Sequence, residues 1–95
     1  MIRRIVLAAS LLLLPLPAAA AERTVVLAVE NAGCELCGPI VKKALTRVAG
    51  VVAVDVNKES SSTLAATVTF DDAAATVAEL IAATTNAGYP SHVAQ

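Results

Sequence analysis

The stretch TVVLAVENAGCELCGPIVKKAL, residues 24–45, passes through three kinds of chain in succession. From Thr24 to Val29, the side chains of Val25, Leu27 and Val29 fall on one face and those of Thr24, Val26 and Ala28 on the other, the period-two pattern of a strand. A short loop, Glu30 to Glu35, follows. Ile40, Val41, Ala44, Leu45 and Val48 then recur at helical spacing with Lys42, Lys43 and Arg47 opposite, which predicts an amphipathic helix. Pro39 suits its first turn, where a missing N–H costs nothing, and Gly50 is placed to end it. The chain's two cysteines, Cys34 and Cys37, sit where strand hands over to helix.

Downstream the same order recurs. Val51 to Val56 is short and β-branched, and Leu64 to Phe70 alternates Leu64, Ala66, Val68 and Phe70 against Ala65, Thr67 and Thr69, so both read as strands. The polar, turn-rich run Asn57 to Thr63 between them reads as a hairpin loop. Asp71 and Asp72 offer an N-cap to a second helix striped by Ala74, Val77, Leu80 and Ile81, which Asn86-Ala87-Gly88 stops, and Tyr89 to Val93 is a last short strand. Two βαβ-like halves predict an α+β fold, the ferredoxin-like βαββαβ sandwich, with an antiparallel four-stranded sheet and two helices on one face. Alternating chain direction places three connections at one end: Glu30 to Glu35, Asn57 to Thr63, and Asn86 to Tyr89.

Upstream, Arg3 and Arg4 precede an apolar run from Ile5 to Leu14, then Pro15, Pro17 and an alanine string. Residues 1–20 read as a signal peptide cleaved after Ala20, with Arg3-Arg4 an ordinary basic start rather than a twin-arginine signal. The apolar run is far short of the roughly 20 residues that span a bilayer. Of the 95 residues, 21–95 then form one small domain, and its apolar mass is aliphatic, since the chain has one Phe, one Tyr and no Trp. Without Arg3 and Arg4, five basic side chains face eight acidic ones, an unfavourable balance for nucleic acid.

The C-x-x-C pair is the chemically informative feature. Its i, i+3 spacing puts both side chains on one face of an opening helical turn, and the unpaired N–H groups and positive dipole end there favour thiolate over thiol. Metal–sulfur bonds of about 2.3 Å separate the sulfurs of a linear two-coordinate site by roughly 4.6 Å, within reach of a loop cysteine and a helical one. Two thiolates alone suit neither hard cations nor a four-ligand structural zinc site, which leaves thiophilic ions such as Hg(II) or Cu(I). A disulfide in an oxidising compartment and a thioredoxin-like redox pair are the competing readings of the same residues.

Several flanking runs sharpen this: Val41-Lys42-Lys43-Ala44-Leu45, Gly50-Val51 with Val54-Asp55-Val56, Val68-Thr69-Phe70-Asp71-Asp72, and Ala87-Gly88-Tyr89-Pro90-Ser91. With the cysteine loop and the element order, they make the chain similar to the periplasmic mercuric-ion-binding proteins of bacterial mercury resistance, a branch of the heavy-metal-associated domain superfamily. The resemblance covers the whole chain, signal peptide included. It implies a periplasmic, monomeric carrier that holds one Hg(II) per chain between Cys34 and Cys37 and passes it by thiol exchange to a cysteine-bearing inner-membrane transporter, without catalysis. The alternatives are a Cu(I) chaperone of the same fold and a thiol-disulfide oxidoreductase. The family's loop reads Gly-Met-Thr where Asn31, Ala32 and Gly33 stand here, and its methionine packs beneath the loop, so Ala32 implies a looser loop. The hairpin Asn57 to Thr63 is also about three residues longer than the family carries.

The remaining polar and aromatic residues read as ordinary surface or packing. His92, the one histidine, is expected to face solvent in the last strand, far along from the cysteine end. Tyr89 either shields the sulfurs or packs at the helix–strand corner. Glu35 is expected to be exposed and to oppose thiolate formation slightly. Lys42, Lys43 and Arg47 form a basic stripe, a solvated helix face or a docking patch.

Overall fold

The alternating apolar residues of the strands become the floor of a single core. In the computed structural model, which describes residues 21–94, the elements run β1 (Glu22–Val29), α1 (Cys37–Thr46), β2 (Val51–Lys58), β3 (Leu64–Asp71), α2 (Val77–Asn86) and β4 (Ser91–Val93). The expected signal peptide lies outside the described residues. The sheet is antiparallel throughout, in the order β2-β3-β1-β4, the α+β sandwich the pattern predicts. Val25, Leu27 and Val29 of β1 and Leu64, Ala66, Val68 and Phe70 of β3 are buried together with Val41 and Leu45 of α1 and Leu80 of α2. Their strand neighbours of opposite parity stay partly or fully exposed, so both helices cover the same face. The single phenylalanine, Phe70, is fully buried at the heart of this layer, with the Arg23 guanidinium 5.7 Å from its ring centroid.

Boundaries differ from the expected ones for identifiable reasons. α2 begins not at Asp71-Asp72 but at Val77, because Thr76 and Glu79 form a complete capping box: the Thr76 hydroxyl accepts from the Glu79 amide (3.1 Å) and the Glu79 carboxylate from the Thr76 amide (2.9 Å). Asp71 ends β3 instead, its carboxylate accepting from the Ala73 amide at 2.9 Å in a turn. Ala75 rather than Ala74 therefore supplies the buried methyl ahead of the helix. α1 ends at Thr46, and Gly50 serves the turn into β2 with φ +97°. Ile40, placed by spacing on the apolar face, is 42% exposed at its edge. β4 starts at Ser91, since the Tyr89 amide closes α2 on the Thr84 carbonyl (2.8 Å) and Pro90 has no N–H for a ladder. No helix among the described residues is long and apolar enough to cross a membrane.

Candidate metal centre

The chain leaves β1 through Asn31, which adopts a left-handed φ of +59°, a conformation asparagine tolerates better than most residues. Around this bend the loop is tied on both sides. The Glu30 amide donates to the Pro90 carbonyl (2.8 Å), and the Asn31 side-chain amide donates to the Gly88 carbonyl (3.3 Å). On the other side, the Ala32 amide donates to the Ser62 carbonyl at 2.9 Å. The three connections expected at one end of the sandwich are thus in direct contact.

Ala32 is 1% exposed, and a methyl group placed on Gly33 would lie 2.5 Å from the Ser61 carbonyl oxygen. The loop that the small Ala32 side chain implied would be loose is instead fastened from above by the hairpin between β2 and β3. That hairpin is braced by its own bonds, with the Glu59 and Ser60 amides both donating to the Thr63 carbonyl (2.9 and 3.1 Å).

Beyond Gly33 the two cysteines part in character. Cys34 is exposed, whereas Cys37 is 3% exposed and, as the first residue of α1, belongs to the hydrophobic core. They are joined in a disulfide with their Cα atoms 5.2 Å apart. The Cys37 amide donates to the Cys34 carbonyl, and the Cys34 amide donates to the Cys37 sulfur, each at 3.2 Å. Leu36 occupies the N-cap with no side-chain bond to the helix, and the first turn carries no acidic residue. Nothing in that turn competes with a sulfur for the positive end of α1, which favours a charged thiolate there once the disulfide is reduced.

The other residues singled out by sequence resolve simply. Glu35 and Leu36 are exposed beside Cys34, leaving its approach open. Tyr89 is half-buried and packs against the core, the corner-packing alternative. His92 is solvent-facing as expected but not remote along the sheet: it pairs with Ala28, close to the end of β1, and its Nδ1 lies 3.8 Å from the Glu30 carboxylate. Cys37 belongs to the face that the helices cover; Ala28 and His92 belong to the opposite side. Lys42 and Lys43 on α1 and Arg47 at its C-cap are all exposed. Sequence reasoning missed the roles of Asn31, Ser61 and Ser62. For Asn31 the signal was present, an asparagine in a short turn-forming run directly after a strand; the two serines act through their carbonyl groups, which residue identity does not mark.

Comparison with known proteins places this geometry. The sequence model of the heavy-metal-associated domain matches residues 26–90. The mercuric transport protein periplasmic component of Shigella flexneri is 51% identical over 79 residues, covering 83% of this chain and 84% of that protein. The oxidised MerP crystal structure from Ralstonia metallidurans CH34 superposes with a TM-score of 0.73 at 48% identity, over 79% of this chain and all of the other. The mercury-bound MerP of a bacterial mercury detoxification system superposes at 0.67 with 51% identity and the same coverages. With its βαββαβ sheet and its cysteine pair at the mouth of α1, the chain belongs to the heavy-metal-associated domain family, in the branch of the periplasmic mercuric transport components.

Proposed function

We propose that this protein is a periplasmic carrier of Hg(II), held by the thiolates of Cys34 and Cys37, one ion per chain, and handed by thiol exchange to a cysteine-bearing inner-membrane transporter. The observation that carries the reading is the unequal cysteine pair at an uncapped helix start, one sulfur exposed and one buried, in a chain about half identical to mercuric transport components. In the reduced protein an arriving ion meets Cys34 first, and Cys37 closes the chelate from its fixed place on α1. Each thiol releases one proton as its bond to the metal forms. Release engages the cysteines in the same order as capture: a partner thiolate bonds the ion from the open side, Cys34 leaves, and Cys37 follows when a second partner thiolate arrives. Two bonds form and two break, so the exchange needs no oxidant and no general base beyond the thiolates. The ion is cargo, and the protein acts as a binding carrier rather than an enzyme.

Export follows from residues 1–20 read as a cleaved signal peptide, and the net acidic domain is assigned to metal and transporter rather than to nucleic acid. It works as a monomer, a single C-x-x-C pair sufficing for linear coordination. Anaerobic titration of the reduced domain, read by native mass spectrometry, is expected to give one Hg(II) per chain with loss of two protons and no uptake by the disulfide form. Tight one-to-one binding by a single-cysteine variant would sink the two-thiolate site, and Cu(I) surviving excess glutathione while Hg(II) is stripped would transfer the assignment to copper.

A further inference from the structure

Cys37 cannot move far, because it is 3% exposed and opens a helix whose Val41 and Leu45 are fully buried. A disulfide holds the sulfurs in covalent contact, while a linear two-coordinate ion holds them roughly 4.6 Å apart. Exchange between those states must therefore be supplied by Cys34 and the residues around it. How far Cys34 can travel depends on where the chain before it is fastened, and the last residue bonded to another element is Ala32, with only Gly33 between. The Ala32 amide is bound to the Ser62 carbonyl at 2.9 Å, and Gly33 packs so closely under Ser61 that a methyl group there would stand 2.5 Å from the carbonyl oxygen. From Gly33 through Leu36 the loop is exposed.

We infer that the hairpin Glu59 to Thr63 is a clamp on the cysteine loop, with Gly33, Ser61 and Ser62 as positioning residues that keep Cys34 within closing distance of Cys37. The inference rests on the carrier reading for its metal half only. What a chelating pair gains over two separate thiols is the effective concentration of the second sulfur at the first, and this falls as the tether gains freedom. The i, i+3 turn supplies most of that proximity; the clamp removes the remaining swing of the segment that leads into Cys34. Gly33 is required because only a residue without a Cβ lets the Ser61 carbonyl come so close. The same restriction favours disulfide closure and metal chelation alike, since both need the second sulfur to arrive before the first bond is lost.

Two variants release the clamp by different routes. Gly33→Ala inserts the colliding methyl group. Replacing residues 59–63 by Asn-Gly, a two-residue turn that keeps Lys58 opposite Leu64, removes the hairpin tip and leaves the sheet register intact. Each is compared with the unmodified domain in two equilibria: the Cys34–Cys37 disulfide against glutathione without metal, and Hg(II) retention against glutathione in the reduced protein. Both equilibria are expected to weaken about fivefold or more in each variant, with unchanged one-to-one stoichiometry. In the short-turn chain, adding Gly33→Ala is expected to change either equilibrium by less than about twofold, because the carbonyl it would strike is gone. Equilibria unchanged, or strengthened, in a short-turn variant whose Ala32 amide exchanges faster would overturn the clamp. If Gly33→Ala fails to fold, the short-turn variant decides alone. Should the unmodified protein bind no Hg(II), the carrier reading falls, and the metal-free disulfide equilibrium still decides for or against the clamp.

Discussion

Cys34 and Cys37 carry the same thiol in different surroundings, and substitution separates the two roles. Cys34→Ser and Cys37→Ser are each expected to abolish tight chelation of Hg(II), since a hydroxyl does not replace a soft thiolate ligand. Stability should distinguish them. Cys37 lies within the aliphatic core, so exchanging its sulfur for a hydroxyl is expected to cost about 1–2 kcal/mol against reduced wild type, while the exposed Cys34→Ser stays within about 0.5 kcal/mol. Urea unfolding under reducing conditions measures both; equal losses would mean that the burial of Cys37 contributes nothing. Glycine offers a second contrast. Gly50 and Gly88 both have positive φ, +97° and +101°, but a methyl group at Gly50 would meet the Ala74 Cβ at 2.8 Å, whereas nothing lies within 4 Å of one at Gly88. Gly88→Ala should show the backbone penalty alone, about 1 kcal/mol, and Gly50→Ala that penalty plus a packing clash, for a total of about 2–3 kcal/mol.

At the scale of elements, what local pattern controls was legible and what distant partners control was not. The parity of β1 and β3 gave every buried residue of those strands, because a strand with one covered face must alternate. The start of α2 was misplaced because Asp71 and Asp72 are good capping residues by type, yet Thr76 with Glu79 three residues on satisfies two helix donors at once. The box was written in the sequence and outranks a lone aspartate. Thr76→Ala is accordingly expected to destabilise the domain by about 1 kcal/mol, with Asp72→Ala near zero, as read by chemical denaturation. Thr84 was not anticipated: it is fully buried on α2, its hydroxyl within 2.6 Å of the Ser91 hydroxyl and donating to the Ile81 carbonyl at 3.1 Å. This polar contact seats β4 against the helix, and through Tyr89 and Pro90 it fixes the wall on which Glu30 and Asn31 are hung. Helical spacing from Val77, Leu80 and Ile81 places position 84 on the covered face, but no periodicity marks the Ser91 hydroxyl that satisfies its polar group.

For the whole molecule, the cysteine pair, the element order and the shared end of three loops were readable before any coordinates, while the way those loops lock together was not. The small Ala32 and the long hairpin were separate departures in sequence; in three dimensions one lies under the other, the Ser62 carbonyl on the Ala32 amide. Because the pair links a loop to the core through Cys37, metal capture is expected to stabilise the entire fold: with free Hg(II) at 100 times its dissociation constant, unfolding of the reduced domain should become harder by up to about 2.7 kcal/mol, and that of the disulfide form should not change. Guanidinium unfolding of the two forms with and without the ion checks this. The sheet order β2-β3-β1-β4 has a kinetic meaning as well. Among the described residues the strand synthesised first, β1, is flanked by the two made third and last, with Val25 opposite Val68 and Leu27 opposite Val93. Until residues 64–71 have appeared it has no partner at all, and until 91–93 have appeared one of its edges is bare. The pairings that complete the sheet, β1 with β3 and β1 with β4, are thus its most distant in sequence, so the local β2–β3 hairpin is expected to close ahead of them and their closure to limit the rate of folding.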